Sequence, residues 1–211
     1  NRDPKKLPSN IFNRLPIRFS YNEDYYNQTQ WQGIPLNGYT QIFKNILDNK
    51  LVKVFLNKRY NLKNPIQVKY LTIYTGPLDR LFNFRYGKLE WRSLKFKKQI
   101  IPSPDFQGSS VINYPDHKDK FIRIHEPKHL HPERLVFKSN KTLIMKEFPV
   151  TNNDEPYYPI NDSKNKEIQR KYKKYAESIK NFTFGGRLAD YAYYDMDMTI
   201  SAALKKFNFV K

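Results

Sequence analysis

The hydrophobic period of this chain changes twice, and that change constrains its fold more than any other feature. Between about Leu81 and Pro149 apolar and polar residues alternate, with Trp91, Ser93 and Lys95 set against Arg92, Leu94 and Phe96. Val111-Ile112-Asn113-Tyr114, Phe121 to His125 and Thr142 to Phe148 carry the same pattern onward. Residues two apart share one face of a strand, so this stretch predicts an antiparallel sheet with one wet face, forming a separate lobe. Pro102, Pro104, Pro115, Pro127 and Pro132 fall in its linkers, because a residue without an N–H cannot sit in a central strand.

On both sides the period lengthens. Ile42, Phe43, Ile46 and Leu47 occupy one helical face after the Gly33-Ile34-Pro35 turn, with Asn37-Gly38 as a cap. Ile168, Tyr172, Tyr175 and Ile179 do the same after Asn161-Asp162-Ser163, above a strongly basic opposite face. β-rich text lies at Leu51 to Leu56 and at Ile66 to Thr75, the latter ending in the turn Tyr74-Thr75-Gly76-Pro77. Phe182-Thr183-Phe184 reads as a strand ending in Gly185-Gly186-Arg187. Asp195 then opens a helix that turns Met196, Ile200, Ala203 and Phe207 inward. Residues 1–32, with Pro4, Pro8 and Pro16 and a crowd of Tyr21, Tyr25, Tyr26 and Trp31, read as an irregular, lid-like segment. The fold class is a mixed α/β and α+β architecture without internal repeats.

Charge and cysteine usage narrow the chemistry. The 211 residues are enough to bury a core, and 39% hydrophobic content with 16% aromatic excludes a disordered basic tail. The net charge of +18 favours phosphates, nucleotides, nucleic acid or acidic lipid heads as partners. With no cysteine, thiol nucleophiles, iron–sulfur clusters, zinc–thiolate sites and disulfides are excluded, which fits a reducing compartment. No apolar run approaches the roughly 18 residues of a membrane span and no signal-peptide pattern opens the chain, so the expected location is the cytoplasm. The first residue is Asn1 rather than Met, which suits a processed product or an excised part.

Several constellations carry candidate chemistry. The strand, Gly185-Gly186, Arg187 and following helix could present N–H groups and a guanidinium to a phosphate, or be an ordinary strand-to-helix turn. His117, His125, His129 and His131 cluster in the sequence, yet they lie in strand-like text interrupted by Pro127. Hydrogen-bonded histidines and no metal are therefore expected. Tyr157-Tyr158 and Tyr193-Tyr194 stand beside Glu155 and Asp195, suited to stacking on a base or sugar and equally to buried packing. Arg14, Arg18, Arg123 and Arg187 sit in apolar or aromatic text, where a cation needs an anionic partner: a diphosphate, or structural carboxylates. Nucleic-acid binding would suit the charge, although no zinc finger, RNP-type strand or basic entry helix is present.

Read in order, seven blocks resemble the UDP-galactopyranose mutase family. They are Arg14-Leu-Pro-Ile-Arg18-Phe, Gly33-Ile-Pro-Leu-Asn-Gly-Tyr39-Thr, Tyr74-Thr-Gly-Pro-Leu-Asp79, Trp91-Arg-Ser-Leu-Lys-Phe96, Val111-Ile-Asn113-Tyr, Glu155-Pro-Tyr-Tyr-Pro-Ile-Asn161 and Phe184-Gly-Gly-Arg-Leu-Ala-Asp-Tyr-Ala-Tyr-Tyr-Asp-Met196. The resemblance runs along nearly the whole chain. In that family a reduced flavin attacks the anomeric carbon of UDP-galactopyranose, UDP leaves, and the sugar opens and recloses as the furanose. The resemblance implies that Arg14 is a mobile-lid arginine reaching the diphosphate and Arg123 its partner from the sheet. It implies substrate contacts at Tyr25, Asn113, Tyr158 and Tyr193, with Asp195 the neighbouring acid. Gly186, Arg187, Met196, Asp197 and Ile200 would form the second half of the FAD site.

The implied organisation is a lid over residues 1–32, FAD-domain segments over 33–80 and 156–211, and a substrate lobe over 81–155. This amounts to the later part of a Rossmann-like FAD-binding domain plus an antiparallel sheet. The family's opening Gly-x-Gly-x-x-Gly unit is missing from this chain, so tight FAD binding is expected to need a companion polypeptide carrying that half. UDP-galactose is the implied substrate, and the assembly is expected to be a homo-oligomer. The alternative is a catalytically inactive, basic structural or nucleic-acid-associated subunit of a larger assembly, or a UDP-sugar binder without catalysis.

Overall fold

Where the apolar period is 3.6 residues the chain coils into helices, and where it is two the chain pairs into strands. The computed structural model describes Phe19 and residues 31–63, 65–116, 118–134, 138–151 and 155–210. The chain divides into two units, Asn1–Val54 and Phe55–Lys211. In the first, α1 (Tyr39–Leu47) forms where its apolar stripe predicts it. No side chain caps it, contrary to the expectation for Asn37-Gly38. Instead Gly38, at φ +75°, donates its N–H to Pro35 O at 2.9 Å. Ile42, Phe43, Ile46 and Leu47 are all exposed.

The second unit opens with irregular chain. The expected strand over Leu51 to Leu56 is absent, and of Ile66 to Thr75 only β1 (Thr72–Tyr74) forms. β-branched residues favour a strand only when a neighbouring strand takes their backbone groups, and β1 finds one partner among the described residues. α2 (Leu78–Leu81) follows directly. Then come β2 (Trp91–Ile101), β3 (Val111–Asn113), β4 (Arg123–His125), a 3-10 turn (Pro127–Leu130), β5 (Thr142–Thr151) and β6 (Tyr158–Pro159). α3 (Ser163–Glu177) leads to β7 (Phe182–Phe184), α4 (Gly186–Ala189) and α5 (Met196–Val210). No helix among the described residues is long and apolar enough to cross a membrane.

Two sheets result. β1 and β7 pair parallel, Thr72 opposite Phe182, although 110 positions separate them in the chain. The other five strands are antiparallel in the order β3-β4-β5-β2-β6. β5 alternates through Thr142, Leu143 and Ile144, buried, exposed, buried. β2 departs from the single wet face expected of it, because Lys95 to Ile100 is exposed on both faces. Pro149 sits inside β5 opposite Leu94, at a point where β4, ending its pairing at Glu147, no longer flanks it. The missing N–H is therefore harmless.

The core gathers Leu78, Phe82 and Leu89 with Tyr172 and Ala176 of α3, and Phe184, Ala189 and Tyr191. The predicted face of α3 is thus the buried one. Tyr172 stacks on Phe82 with ring centroids 6.1 Å apart, donates its hydroxyl to Gly87 O at 2.7 Å and accepts Tyr86 N–H at 3.0 Å. Trp91 meets Tyr191 edge-on at 4.8 Å, joining the start of the sheet to this core. α5 corrects the sequence reading: Met196, Ile200, Ala203 and Phe207 are exposed, not inward, since no described element lies over them.

Candidate functional site

Antiparallel register decides which side chains share a face, because directly paired residues project together. Asn113 pairs with Arg123, Arg123 with Glu147 and Glu147 with Phe96, so one row crosses four strands. Tyr158, opposite Arg92, falls on that face too. The row is tied by hydrogen bonds. Arg123 donates through Nε to Asn113 Oδ1 at 2.8 Å and through Nη1 to Glu147 Oε2 at 3.3 Å. His125 Nε2 lies 2.8 Å from the same carboxylate oxygen. The Glu147 side chain is 3% exposed and that of Arg123 36%, so a buried anion holds a half-exposed cation at the surface of the face.

The tyrosines close one side. Tyr158 and Tyr193 stack at 5.1 Å with rings 12° apart, and Tyr157 tilts against both Tyr158 and Phe96. Burial raises the Tyr158 hydroxyl above the usual tyrosine range, with Tyr193 and Glu147 adding to it and Arg123 opposing, so the phenol stays a hydrogen-bond donor. Tyr157 is raised by burial and by Glu155, whose carboxylate accepts its hydroxyl at 3.4 Å.

Of the residues singled out in the sequence, Asn113, Arg123, Tyr158 and Tyr193 come together here. Arg187 is anchored differently: its guanidinium donates to the carbonyls of Tyr157 and Pro156, pinning the chain that leads into β6. The sequence left the partners of Arg123 and Arg187 open between a diphosphate and structural carboxylates; Arg123 holds the Glu147 carboxylate, whereas Arg187 holds backbone carbonyls, which neither alternative named. Asp195 closes the first turn of α5, its carbonyl accepting from Thr199 N–H at 3.0 Å. Gly186 takes φ +86° beside Thr75, at the carboxyl ends of the parallel strands β1 and β7, and donates its N–H to Asp190 Oδ2 at 3.1 Å. Met196, Asp197 and Ile200 lie exposed on the first turns of α5. Arg14, Arg18, Tyr25 and His117 lie outside the described residues.

Sequence reasoning missed Glu147, the hub of the row. The signal for it was a carboxylate inside the strand text Met145-Lys146-Glu147-Phe148, one strand away from an arginine that needed an anion. The remaining histidines also sit on acids, His129 Nε2 at 3.3 Å from Asp105 Oδ1 and His131 Nδ1 at 2.9 Å from Glu133 Oε1. Asp105, Glu126 and His129 offer ligand atoms within 4.8 Å of one another. Glu126 is fully buried, however, and its oxygens already accept Phe106 N–H, Gln107 N–H and Thr142 Oγ1–H, so it closes the 105–107 loop.

The family model GLF, described as UDP-galactopyranose mutase, matches residues 1–193. This chain belongs to the UDP-galactopyranose mutase family. It is 37% identical over 206 residues to a probable UDP-galactopyranose mutase of Klebsiella pneumoniae, covering 96% of this chain and 52% of that protein. It is 36% identical over 215 residues to the UDP-galactopyranose mutase of Mycoplasma genitalium, covering 95% and 52%. It is also 33% identical over 211 residues to a dTDP-fucopyranose mutase of Escherichia coli, covering 96% and 55%. As a member of the UDP-galactopyranose mutase family the chain spans about half the length of the curated relatives it matches.

Proposed function

We propose that this chain supplies the substrate-facing part of a flavin-dependent mutase that interconverts UDP-galactopyranose and UDP-galactofuranose. The observation that carries this reading is the row Asn113–Arg123–Glu147 with the stacked pair Tyr158 and Tyr193 beside it. Two hydrogen bonds fix the plane of the Arg123 guanidinium. A fork held in that way offers its remaining N–H groups to a diphosphate without reorganising. Arg14, from the 1–32 segment, would grip the same diphosphate from a lid, and Tyr25 would contact the substrate there. Tyr158 and Tyr193 give hydroxyls for the sugar and an aromatic wall that excludes water.

The residues proposed for the flavin adjoin this row, since Arg187 holds the carbonyls of Pro156 and Tyr157 just before Tyr158. In open parallel sheets ligands lie beyond the carboxyl ends of the strands, and Gly76, Gly185 and Gly186 follow the ends of β1 and β7. Gly186 with φ +86° lets the backbone turn there without a Cβ. Gly186, Arg187, Met196, Asp197 and Ile200 would hold one half of FAD in a Rossmann-like domain that segments 33–80 and 156–211 help build, with 81–155 as the substrate lobe. When bound, the reduced flavin supplies the nucleophile toward the anomeric carbon. This chain's residues then position the sugar and neutralise the leaving diphosphate.

The other half of the FAD site would come from a companion polypeptide carrying the N-terminal nucleotide-binding unit, and copies of that pair would associate as a homo-oligomer. A chain without cysteine suits the reducing cytoplasm in which a reduced flavin persists. The test is interconversion of UDP-galactofuranose and UDP-galactopyranose by the chain joined to that unit, with chemically reduced FAD and chromatography of the sugars. Turnover is expected, falling about 100-fold or more in Arg123→Ala. A flavin-loaded complex with no turnover on either sugar would overturn the reading.

A further inference from the structure

Arg123 and His125 stand two residues apart on β4, so both side chains leave the sheet on the same face. Arg123 pairs directly with Glu147 of β5 and His125 with Met145, which makes Glu147 the diagonal neighbour of His125. Long side chains reach across such a diagonal. Here both reach the same atom: Glu147 Oε2 lies 2.8 Å from His125 Nε2 and 3.3 Å from Arg123 Nη1. The imidazole makes the shorter contact of the two.

The imidazole is fixed on two sides. Opposite its bond to Glu147 the part-buried ring leans on Phe96 of β2, with centroids 5.9 Å and planes 56° apart. Phe96 leans in turn on Tyr157, at 6.5 Å, beside the stacked pair of Tyr158 and Tyr193. The carboxyl group that His125 holds is less constrained by its own bonds, because the last torsion of a glutamate is broad. Held by Arg123 alone, that group can rotate until both oxygens face the guanidinium as a bidentate fork. Arg123 Nε is already given to Asn113, so such a fork takes up N–H groups otherwise left for a diphosphate.

We propose that His125 is a positioning residue of this face: it holds Glu147 Oε2 and, through it, keeps the Arg123 guanidinium turned toward the diphosphate of the substrate. This rests on the mutase reading, since the diphosphate belongs to that substrate. The bond forms whether Nε2 or the carboxyl group carries the hydrogen, so the effect comes from geometry.

The experiment compares variants of the chain joined to the nucleotide-binding unit, reading KM for UDP-galactofuranose and the dissociation constant of UDP. His125→Phe keeps a ring against Phe96 and removes the bond to Glu147. Both constants should rise about five- to tenfold, the scale of one lost hydrogen bond, with an unchanged far-UV spectrum. His125→Gln, whose amide nitrogen stands as many bonds from Cβ as Nε2 does, should return both to within about twofold of the parent, which a merely structural role would not do. Placed on Glu147→Gln, His125→Phe should add less than about twofold, because its effect passes through residue 147. Where His125→Phe fails to fold by circular dichroism, His125→Asn, whose amide falls short of Glu147, is expected to show the same loss. Unchanged constants in the removal variant, His125→Gln as weak as His125→Phe, or losses that simply add would each overturn the proposal. A parent enzyme that neither binds UDP nor converts the sugar would overturn the mutase reading and this role with it. A working parent with an indifferent His125→Phe overturns the positioning role alone.

Discussion

Glu147 concentrates the chemistry of the sheet in one oxygen, which meets Arg123 Nη1 at 3.3 Å and His125 Nε2 at 2.8 Å. Both neighbours hydrogen-bond this buried carboxyl group, and in return it sets the direction of the guanidinium. Glu147→Gln keeps the shape but replaces an acceptor oxygen with an NH₂ group that opposes Arg123. Expected is an unchanged far-UV spectrum and, on the proposed function, mutase turnover lowered about 10- to 100-fold, read by chromatography of the two UDP-sugars. Unaltered turnover would remove Glu147 from the positioning of Arg123. Tyr191 plays the corresponding structural role: its hydroxyl accepts Ile160 N–H at 3.0 Å and donates to the carbonyls of Glu90 and Ile160. Tyr191→Phe leaves those part-buried backbone groups without the hydroxyl, and a loss of about 1 kcal/mol is expected from urea midpoints.

Elements here are stabilised by their ends as much as by their faces. α3 begins with Asp162, whose Oδ1 accepts Asn165 N–H at 2.9 Å and the Asn165 side-chain amide at 2.8 Å. Asn165, fully buried, then accepts Glu90 N–H at 2.9 Å, so one cap fixes both the helix and the entry to β2. Asp162→Ala should cost about 1 kcal/mol, toward the upper end of capping effects near 2 kcal/mol if Asn165 is also released, measured by chemical unfolding. A midpoint equal to that of the parent chain would show that Asn165 alone anchors the element. α2 is short, yet Asp79 in its first turn bonds its own helix and Leu89. Burial raises the Asp79 carboxyl above its usual range while those two N–H groups pull the other way.

For the whole molecule, aromatic burial makes alkaline pH the relevant stress. Burial pushes the hydroxyls of Tyr172 and Tyr191 upward, and those of Tyr74, Tyr158 and Tyr194 in the same direction. The folded chain therefore holds these protons more tightly than the unfolded chain. Their share of the stability is complete below the unfolded value of about 10 and is lost as pH rises from there toward the folded values. Phenolate absorbance of the buried set should rise together with loss of helical ellipticity above about pH 10, and full ionisation with an intact fold would contradict their burial. The apolar surface is a second whole-molecule property. Met196, Met198, Ile200, Leu204 and Phe207 of α5 are exposed, as are Ile42, Phe43 and Ile46 in the other unit. A hydrophobic dye should bind the chain alone, and on the proposed function it should be displaced when a nucleotide-binding unit that completes the FAD site is added.

The sequence by itself determined the local periods, and with them α1, the buried face of α3 and the antiparallel strands. Both a helix stripe and a strand alternation are written in neighbouring residues. Its ordered blocks also carried the family resemblance, because each block is written in neighbouring residues. Only the tertiary structure decided what depends on pairing between distant residues. The register of β4, β5 and β2 joined Arg123 to Glu147 across 24 positions, and the parallel pair β1–β7 joined segments 110 positions apart. The same reason explains the misreadings at Leu51 to Leu56 and along α5: pattern proposes a strand or an inward face, but a ladder or a core exists only where another part of the molecule comes to meet it.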